Sequence, residues 1–470
     1  MNGLKTGFGK TSNEVVIDSL PVHGSIPKWL QGSLIRNGPG TFEVGAQHYR
    51  HWFDGLAMLH RFSFENGQVS YANKFLECKA LDEARRTGKI SYSEFATDPC
   101  RDLFKRVMAV FSPKITDSAK VSVARMADQY FALAETPIQV EFDPQTLRSV
   151  GVYQYEENLV GQMTTVHPQF DRSQGLIYNL VTRYHAISHY HFHKIKEDGF
   201  QRELFASIPV QQPGYIHSFG MTENYLILAE FPLIVNPIDL LLWLKPYIEN
   251  FKWMPQRKSK FYLVDRRTGG VSHKFETEAF FAFHHVNAFE SNGEVVLDID
   301  AYPDAEIIQA YYLNRLLDGS RPLPAGNLRR YYLPLQGGSV RSEVLSPTCI
   351  ELPRFDEDRY QMRADYRFVY GVGVAADHLE SFYNQIVKIN IDDGTTTAWH
   401  QPNCYPGEAV FVSAPEAVDE DDGVVLSVVL DADTQRSFLL VLDAHSFTEI
   451  GRAEVPHAVL FGYHGAYFKD

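Results

Sequence analysis

One turn chemistry punctuates this chain again and again. "VEFDPQTLRSVG", "YLVDRRTGGVSH", "KINIDDGTTTAW" and "LVLDAHSFTEIG" each place Asp-x-x-Thr/Ser between two strand-like runs, at Asp143 and Thr146, Asp265 and Thr268, Asp392 and Thr395, and Asp443 and Ser446. Asp, Ser and Thr side chains bond locally to backbone in tight turns, so each unit reads as a β-hairpin. A second hairpin type alternates with the first. "HPQFDRSQGLIYNLV", "HSFGMTENYLILAE" and "HHVNAFESNGEVVLDI" begin with His167, His217 and His284, run a short strand, turn on polar residues and return apolar. "EAVFVSAPEAVDEDDGVVLSVVL" has the same form but begins with Glu408. Hairpins recurring along most of a chain with few helical stretches predict an all-β propeller.

In a propeller the innermost strand of every blade starts near one axis, so residues at equivalent starts converge despite their distance in sequence. That brings His167, His217 and the pair at 284–285 toward one point, with His464 in "FGYHGAYF" as a fourth candidate where a last strand would close the ring. Adjacent residues on a strand point to opposite faces, so His284 and His285 cannot both serve one site from one pleat. Four neutral imidazoles suit a first-row transition metal. Structural zinc would favour thiolates, whereas iron held by four His keeps positions open for O2.

Other histidines and acids carry plainer expectations. In "HYHFHK", His189, His191 and His193 share one strand face at period two, but no carboxylate or cysteine lies near them in sequence, so a non-catalytic face is expected. His51 and His60 flank "HWFDGLAMLH", where Asp54 is expected to cap backbone and both rings to be structural. The acidic run at 419–423 reads as a solvated hairpin tip.

With 58 acidic against 44 basic residues and a formal charge of -14, the chain lacks the basic surface that neutralises phosphates, and a nucleic-acid partner is excluded. Cys78, Cys100, Cys349 and Cys404 show no metal-type pairing and read as reduced thiols of a cytoplasmic protein. "MNGLKTGFGKTSNEV" has no apolar core of a secretory signal, and no run reaches the ~18–20 apolar residues of a spanning helix.

Taken in order, "LIRNGPGTFEVG", "HWFDGLAMLHRF", "HSFGMTEN", "FHHVNAFE", "ELPRFDE", "YPGEAVFV" and "GYHG" resemble the carotenoid cleavage oxygenase family, from about residue 17 to the C-terminus. "TDPCRDLF" and "HSFGMTENY" are similar to its animal branch, which contains the β-carotene oxygenases and the retinal pigment epithelium isomerohydrolase. The resemblance implies a seven-bladed propeller, residues 1–470 as one domain, with a helical and loop cap over the metal face. It implies Fe(2+) held by His167, His217, His284 and His464, the histidine three residues before Asn287 selecting His284 over His285. It places Glu135, Glu351 and Glu408 behind three of the imidazoles, leaving His167 to bond elsewhere. Phe95, and Ala134 beside Glu135, are carried over as tunnel positions.

The activity so implied is O2-dependent cleavage of one conjugated double bond of a carotenoid or apocarotenoid into two carbonyl products, with retinal formation an expectation from the animal-like motifs. Stilbene cleavage is an alternative, but that branch carries Tyr and Lys where this chain has Phe95 and Ala134. Retinyl-ester isomerohydrolysis and a non-enzymatic carotenoid-binding propeller are further alternatives. Two apolar stretches, near 100–113 and 231–255, have basic residues off the stripe or following it, which suits peripheral insertion into a membrane surface. Cys100, in the first, invites a lipidation hypothesis.

Overall fold

A computed structural model describes residues 2–469 except 12, 100–115, 154, 156–158, 243–244 and 376–381. The hairpins assemble into seven antiparallel sheets of four to six strands, the blades of a propeller. Round the ring the inner strands are Gly465–Phe468, Ser122–Met126, Met163–Thr164 with Gln169–Asp171, Gly220–Met221, His285–Ser291, Glu351–Arg354, and Cys404–Pro406 with Val410–Ser413. Numbered in that order, the first and seventh blades each join strands from both ends of the chain. Gly465–Phe468 pairs antiparallel with Gly32–Thr41, and Val22–Gly24 with Glu449–Glu454. This closure leaves no open edge between first and last blades.

The repeated turns join the third and fourth strands of a blade. Thr146 N–H and hydroxyl both donate to Asp143 Oδ1 at 2.7 Å, and Ser446 repeats the arrangement on Asp443 at 2.7 and 2.8 Å. Thr268 N–H donates to Asp265 at 2.8 Å. The hairpin at 390–396 departs from the expected pattern: Thr395 bonds to Asp393, at 2.9 and 2.7 Å, while Asp392 turns outward to Arg367. With consecutive aspartates, a shift of one residue preserves the same turn chemistry.

Facing blades bury alternate residues between them. Leu34, Phe62, Phe64 and Val69 of the first blade meet Val424, Leu426, Leu439 and Val441 of the seventh, all at 2 % exposure or less. Burying each such side chain contributes about 1.5–3 kcal/mol, so the seam is held by packing as well as by strand pairing.

In an antiparallel blade the start of the first strand and the end of the second lie on the same rim. The links from second to third strand therefore gather over the face where the inner strands begin. They include 42–55, 231–258 and 302–326, and they share one large apolar cluster that also takes in the helix Lys79–Thr87. That cluster is the cap.

The 231–255 stretch is largely part of it. Phe231, Leu233, Ile234, Val235, Ile248 and Phe251 are buried, and among the described large apolar residues of the stretch only Ile238 and Leu242, around the short helix Pro237–Leu241, stand exposed, at 60 % and 45 %. Of the basic residues that follow, Lys260 is engaged by Glu230 at 3.4 Å. The other stretch, 100–113 with Cys100, lies outside the described residues. No helix among the described residues is long and apolar enough to cross a membrane.

Candidate metal centre

Each blade delivers one residue to the rim beneath the cap: His464, Glu135, His167, His217, His284, Glu351 and Glu408, in blade order one to seven. Six sit at or just before inner strands. Glu135 arrives from the link between second and third strands of its blade, which the rim geometry places on the same face. The four histidines each offer a ring nitrogen, all within 4.8 Å of one another.

Three of the rings are locked from behind. His217 Nδ1–H donates to Glu135 at 2.7 Å, His284 Nδ1–H to Glu351 at 2.5 Å, and His464 Nδ1–H to Glu408 at 2.8 Å. No carboxylate partner for His167 is found among the described residues. The glutamates are anchored in turn. Tyr215 O–H donates to Glu135 at 2.5 Å, Tyr302 O–H and Leu352 N–H donate to Glu351, and Gly465 N–H donates to Glu408 at 2.7 Å. Arg354 adds a longer contact to Glu408 at 3.3 Å.

Because Nδ1 carries the proton in each locked ring, Nε2 presents a lone pair inward. His284 Nε2 and His464 Nε2 lie 3.2 Å apart, and His167 Nε2 and His217 Nε2 3.3 Å apart. For His284 and His464, both locked, two lone pairs at 3.2 Å repel unless a proton or a metal ion lies between them, whereas the unlocked His167 can turn either Nε2–H or a lone pair toward His217. Burial opposes the proton. It holds His167 and His464 well below the ordinary imidazole value, reinforced by the neighbouring rings, and it holds His284 below that value even against Glu351. The donor set thus fits a metal ion, and the carboxylates raise the basicity of the rings that would hold it.

Glu351 is itself held below the usual carboxylate range: burial pushes it up, and His284 outweighs that. Asp300 completes a second group with His284 and Glu351 and is pushed well above the carboxylate range by burial and by Glu351.

His285 faces the other way. Ser218 hydroxyl donates to the Phe283 carbonyl and accepts from His285 Nδ1 at 2.7 Å, and burial keeps this ring neutral down to about 3. His51 is wholly buried, with Nε2 2.9 Å from the Ile308 carbonyl, and His60 Nδ1 bonds Tyr71 hydroxyl at 2.9 Å. Asp54 accepts from His51 N–H, Ala96 N–H and Thr97 hydroxyl, which is backbone capping with one side-chain partner added. The three histidines of 189–193 do not fall within any metal-sized cluster among the described residues. In the acidic run, Glu420 accepts from two backbone N–H groups, Asp421 pairs with Lys388 at 2.5 Å, and Asp422 caps its own turn.

A cavity of about 300 Å³ opens from the histidines under the cap. Phe95 and Ala134 both line it, together with Trp52, Phe53, Phe283 and Tyr247. Phe95 packs on Phe53 and His51 at ring distances of 5.2 and 5.0 Å. Tyr215, Tyr302 and Asp300 lie outside the quoted motifs, and Arg354, inside "ELPRFDE", has no role assigned to it by that motif. Tyr215 carried a usable signal, standing two residues before His217, whereas Tyr302 and Asp300 reach Glu351 from a neighbouring blade.

The sequence profile described as retinal pigment epithelial membrane protein matches residues 8–469. A human beta,beta-carotene 15,15'-dioxygenase is 34% identical, over 96% of this chain and 92% of its own length. A carotenoid isomerooxygenase of Galleria mellonella is also 34% identical, over 92% of this chain and 89% of its own. Among solved structures, the cobalt-substituted apocarotenoid oxygenase of Synechocystis superposes with a TM-score of 0.88 at 26% identity, covering 100% of this chain and 98% of that one.

Proposed function

The chain belongs to the retinal pigment epithelial membrane protein family, the carotenoid oxygenases, and from that premise we propose that it is an Fe(II)- and O2-dependent dioxygenase cleaving one conjugated C=C bond of a carotenoid or apocarotenoid to two carbonyl products, retinal among them. The observation that carries this reading is the pair of inward-facing Nε2 contacts at 3.2 and 3.3 Å, backed by carboxylates and opening into a largely apolar cavity.

His167, His217, His284 and His464 would hold the metal, and Glu135, Glu351 and Glu408 would fix three ring orientations. Bound by these residues, Fe(II) would supply the activation of O2 needed to form two carbonyl products. The chain's remaining work is positional. Phe95, Phe53 and Trp52 offer ring faces along which a polyene can lie, and the cap keeps bulk water from the reacting bond. No protein nucleophile is required. Strands from both ends in the first and seventh blades support treating residues 1–470 as one domain.

Phe95 and Ala134 cannot ionise a phenol, which speaks against the stilbene alternative, and a scaffold that only binds carotenoid has no need of three His–Glu pairs on one rim. The exposed Ile238 and Leu242 support peripheral membrane contact, through which a lipid-dissolved substrate would be drawn from a cytoplasmic membrane face. The test is aldehyde formation from β-carotene, apocarotenals and resveratrol by metal-loaded protein. Cleavage of a polyene, lost in His167→Ala, is expected. Unchanged turnover in that variant, or resveratrol as the sole substrate, would overturn the reading.

A further inference from the structure

The cavity wall includes a buried ion pair that neither the metal nor the fold accounts for. Lys120 Nζ lies 2.5 Å from Glu94 Oε2, with side chains only 5 % and 1 % exposed, and both residues line the cavity. Glu94 Oε1 is buried and has no close hydrogen-bond donor among the described residues, the Thr116 hydroxyl being the side-chain donor that faces this carboxyl group. Glu94 is also the partner found there for Lys120 Nζ, so further N–H groups of the ammonium lack an acceptor.

The pair is held firmly at both ends. Lys120 precedes Val121, whose carbonyl accepts His464 N–H at 3.1 Å, and Glu94 N–H donates to the Thr97 carbonyl at 2.9 Å while preceding Phe95 in the wall. A buried carboxylate oxygen without a donor is costly wherever it occurs. A hydrocarbon polyene offers nothing to either group. A hydroxyl answers both at once: its hydrogen is donated to Glu94 Oε1, and its oxygen accepts from Lys120 Nζ.

We propose that Glu94 and Lys120 form a specificity site for a hydroxyl group on the polyene, so that hydroxylated carotenoids or apocarotenoids are preferred to their unsubstituted counterparts. This rests on reading the cavity as a polyene site.

The experiment measures dissociation constants for β-carotene and for zeaxanthin, its dihydroxylated counterpart, in matched micelles on metal-free protein. The readout is quenching of tryptophan fluorescence, for which Trp52 in the cavity wall is a reporter. Wild-type protein is expected to bind zeaxanthin at least about tenfold more tightly, about 1.4 kcal/mol. The double replacement Glu94→Leu/Lys120→Met, which removes both charges together, should abolish the difference. Equal affinities in the wild type, or a preference that survives the double replacement, would overturn the proposal. The wild-type comparison stands even where the variant fails to fold. Because binding is read without turnover, a wild type that cleaves no polyene but prefers zeaxanthin, with the preference lost in the double replacement, would refute the proposed reaction and uphold this site.

Discussion

Replacing Glu351 with Gln isolates what the buried carboxylate does for the metal. The amide oxygen can still accept from His284 Nδ1–H, so the ring keeps its tautomer and orientation. What is lost is the negative charge, now set against that ring at 2.5 Å with the carboxylate side chain only 2 % exposed. The new amide nitrogen takes the place of the oxygen that accepts from Tyr302 and faces the buried Asp300, so Tyr302 hydroxyl turns from donor to acceptor and Asp300 accepts the second N–H, and the fold should tolerate the change. Loss of such a partner costs ~10–100-fold in metal affinity, which is about 1.4–2.7 kcal/mol. Burial leaves little solvent to screen the charge, so Glu351→Gln should fall at the upper end of that range. Glu135, whose side chain is 12 % exposed, should give the smaller loss on the same replacement. The assay is competition for Co(II) against a chelating indicator, with a thermal melt alongside. Affinity within twofold of wild type would refute the claim that the carboxylate raises the basicity of His284. A collapse of the melting temperature would refute the isosteric argument.

Other perturbations test other parts of the structure. His60 is held neutral down to about 3 by burial, with His457 and Arg36 adding to the effect, against an ordinary value of 6.5. A base whose folded value is depressed gives stability that is complete above 6.5 and lost as pH falls toward 3, so His60→Gln should shrink the stability difference between about pH 7.5 and 5.5 by about 1.4 kcal/mol in urea unfolding; an unchanged difference would contradict the assignment. Ser218→Ala leaves His285 Nδ1 unpaired and should cost about 1–3 kcal/mol of stability without altering metal stoichiometry. Ile238→Ser/Leu242→Ser should reduce co-flotation with anionic lipid vesicles, and flotation equal to wild type would exclude this patch as the contact.

The fold was unusually legible because its repeat is written in turns, and a turn needs particular atoms at particular offsets. Asp143, Asp265 and Asp443 bond as their spacing predicts, and even the slip to Asp393 keeps the chemistry. The histidines could be grouped because a propeller converts equivalent positions along the chain into neighbours in space; the choice of His284 over His285 needed the family pattern. Other features depend on contacts between blades and carry no periodic mark. Glu135 reaches the rim from a different kind of loop than Glu351 and Glu408, and Tyr302 meets Glu351 across a blade boundary. The apolar run at 231–255 shows a converse limit. Hydrophobicity marks residues that avoid water, and here most of them do so by packing inward as the cap.

Cleavage under labelled O2 tests the whole account most directly. Metal-loaded protein would be incubated with a single polyene in 18O2, and both carbonyl products would be captured at once and weighed by mass spectrometry before aldehyde oxygen exchanges with water. One labelled oxygen in each of two fragments that together make up the substrate is the predicted result. Label in one fragment alone, or products that form equally well without O2, would contradict a dioxygenase built on these four histidines.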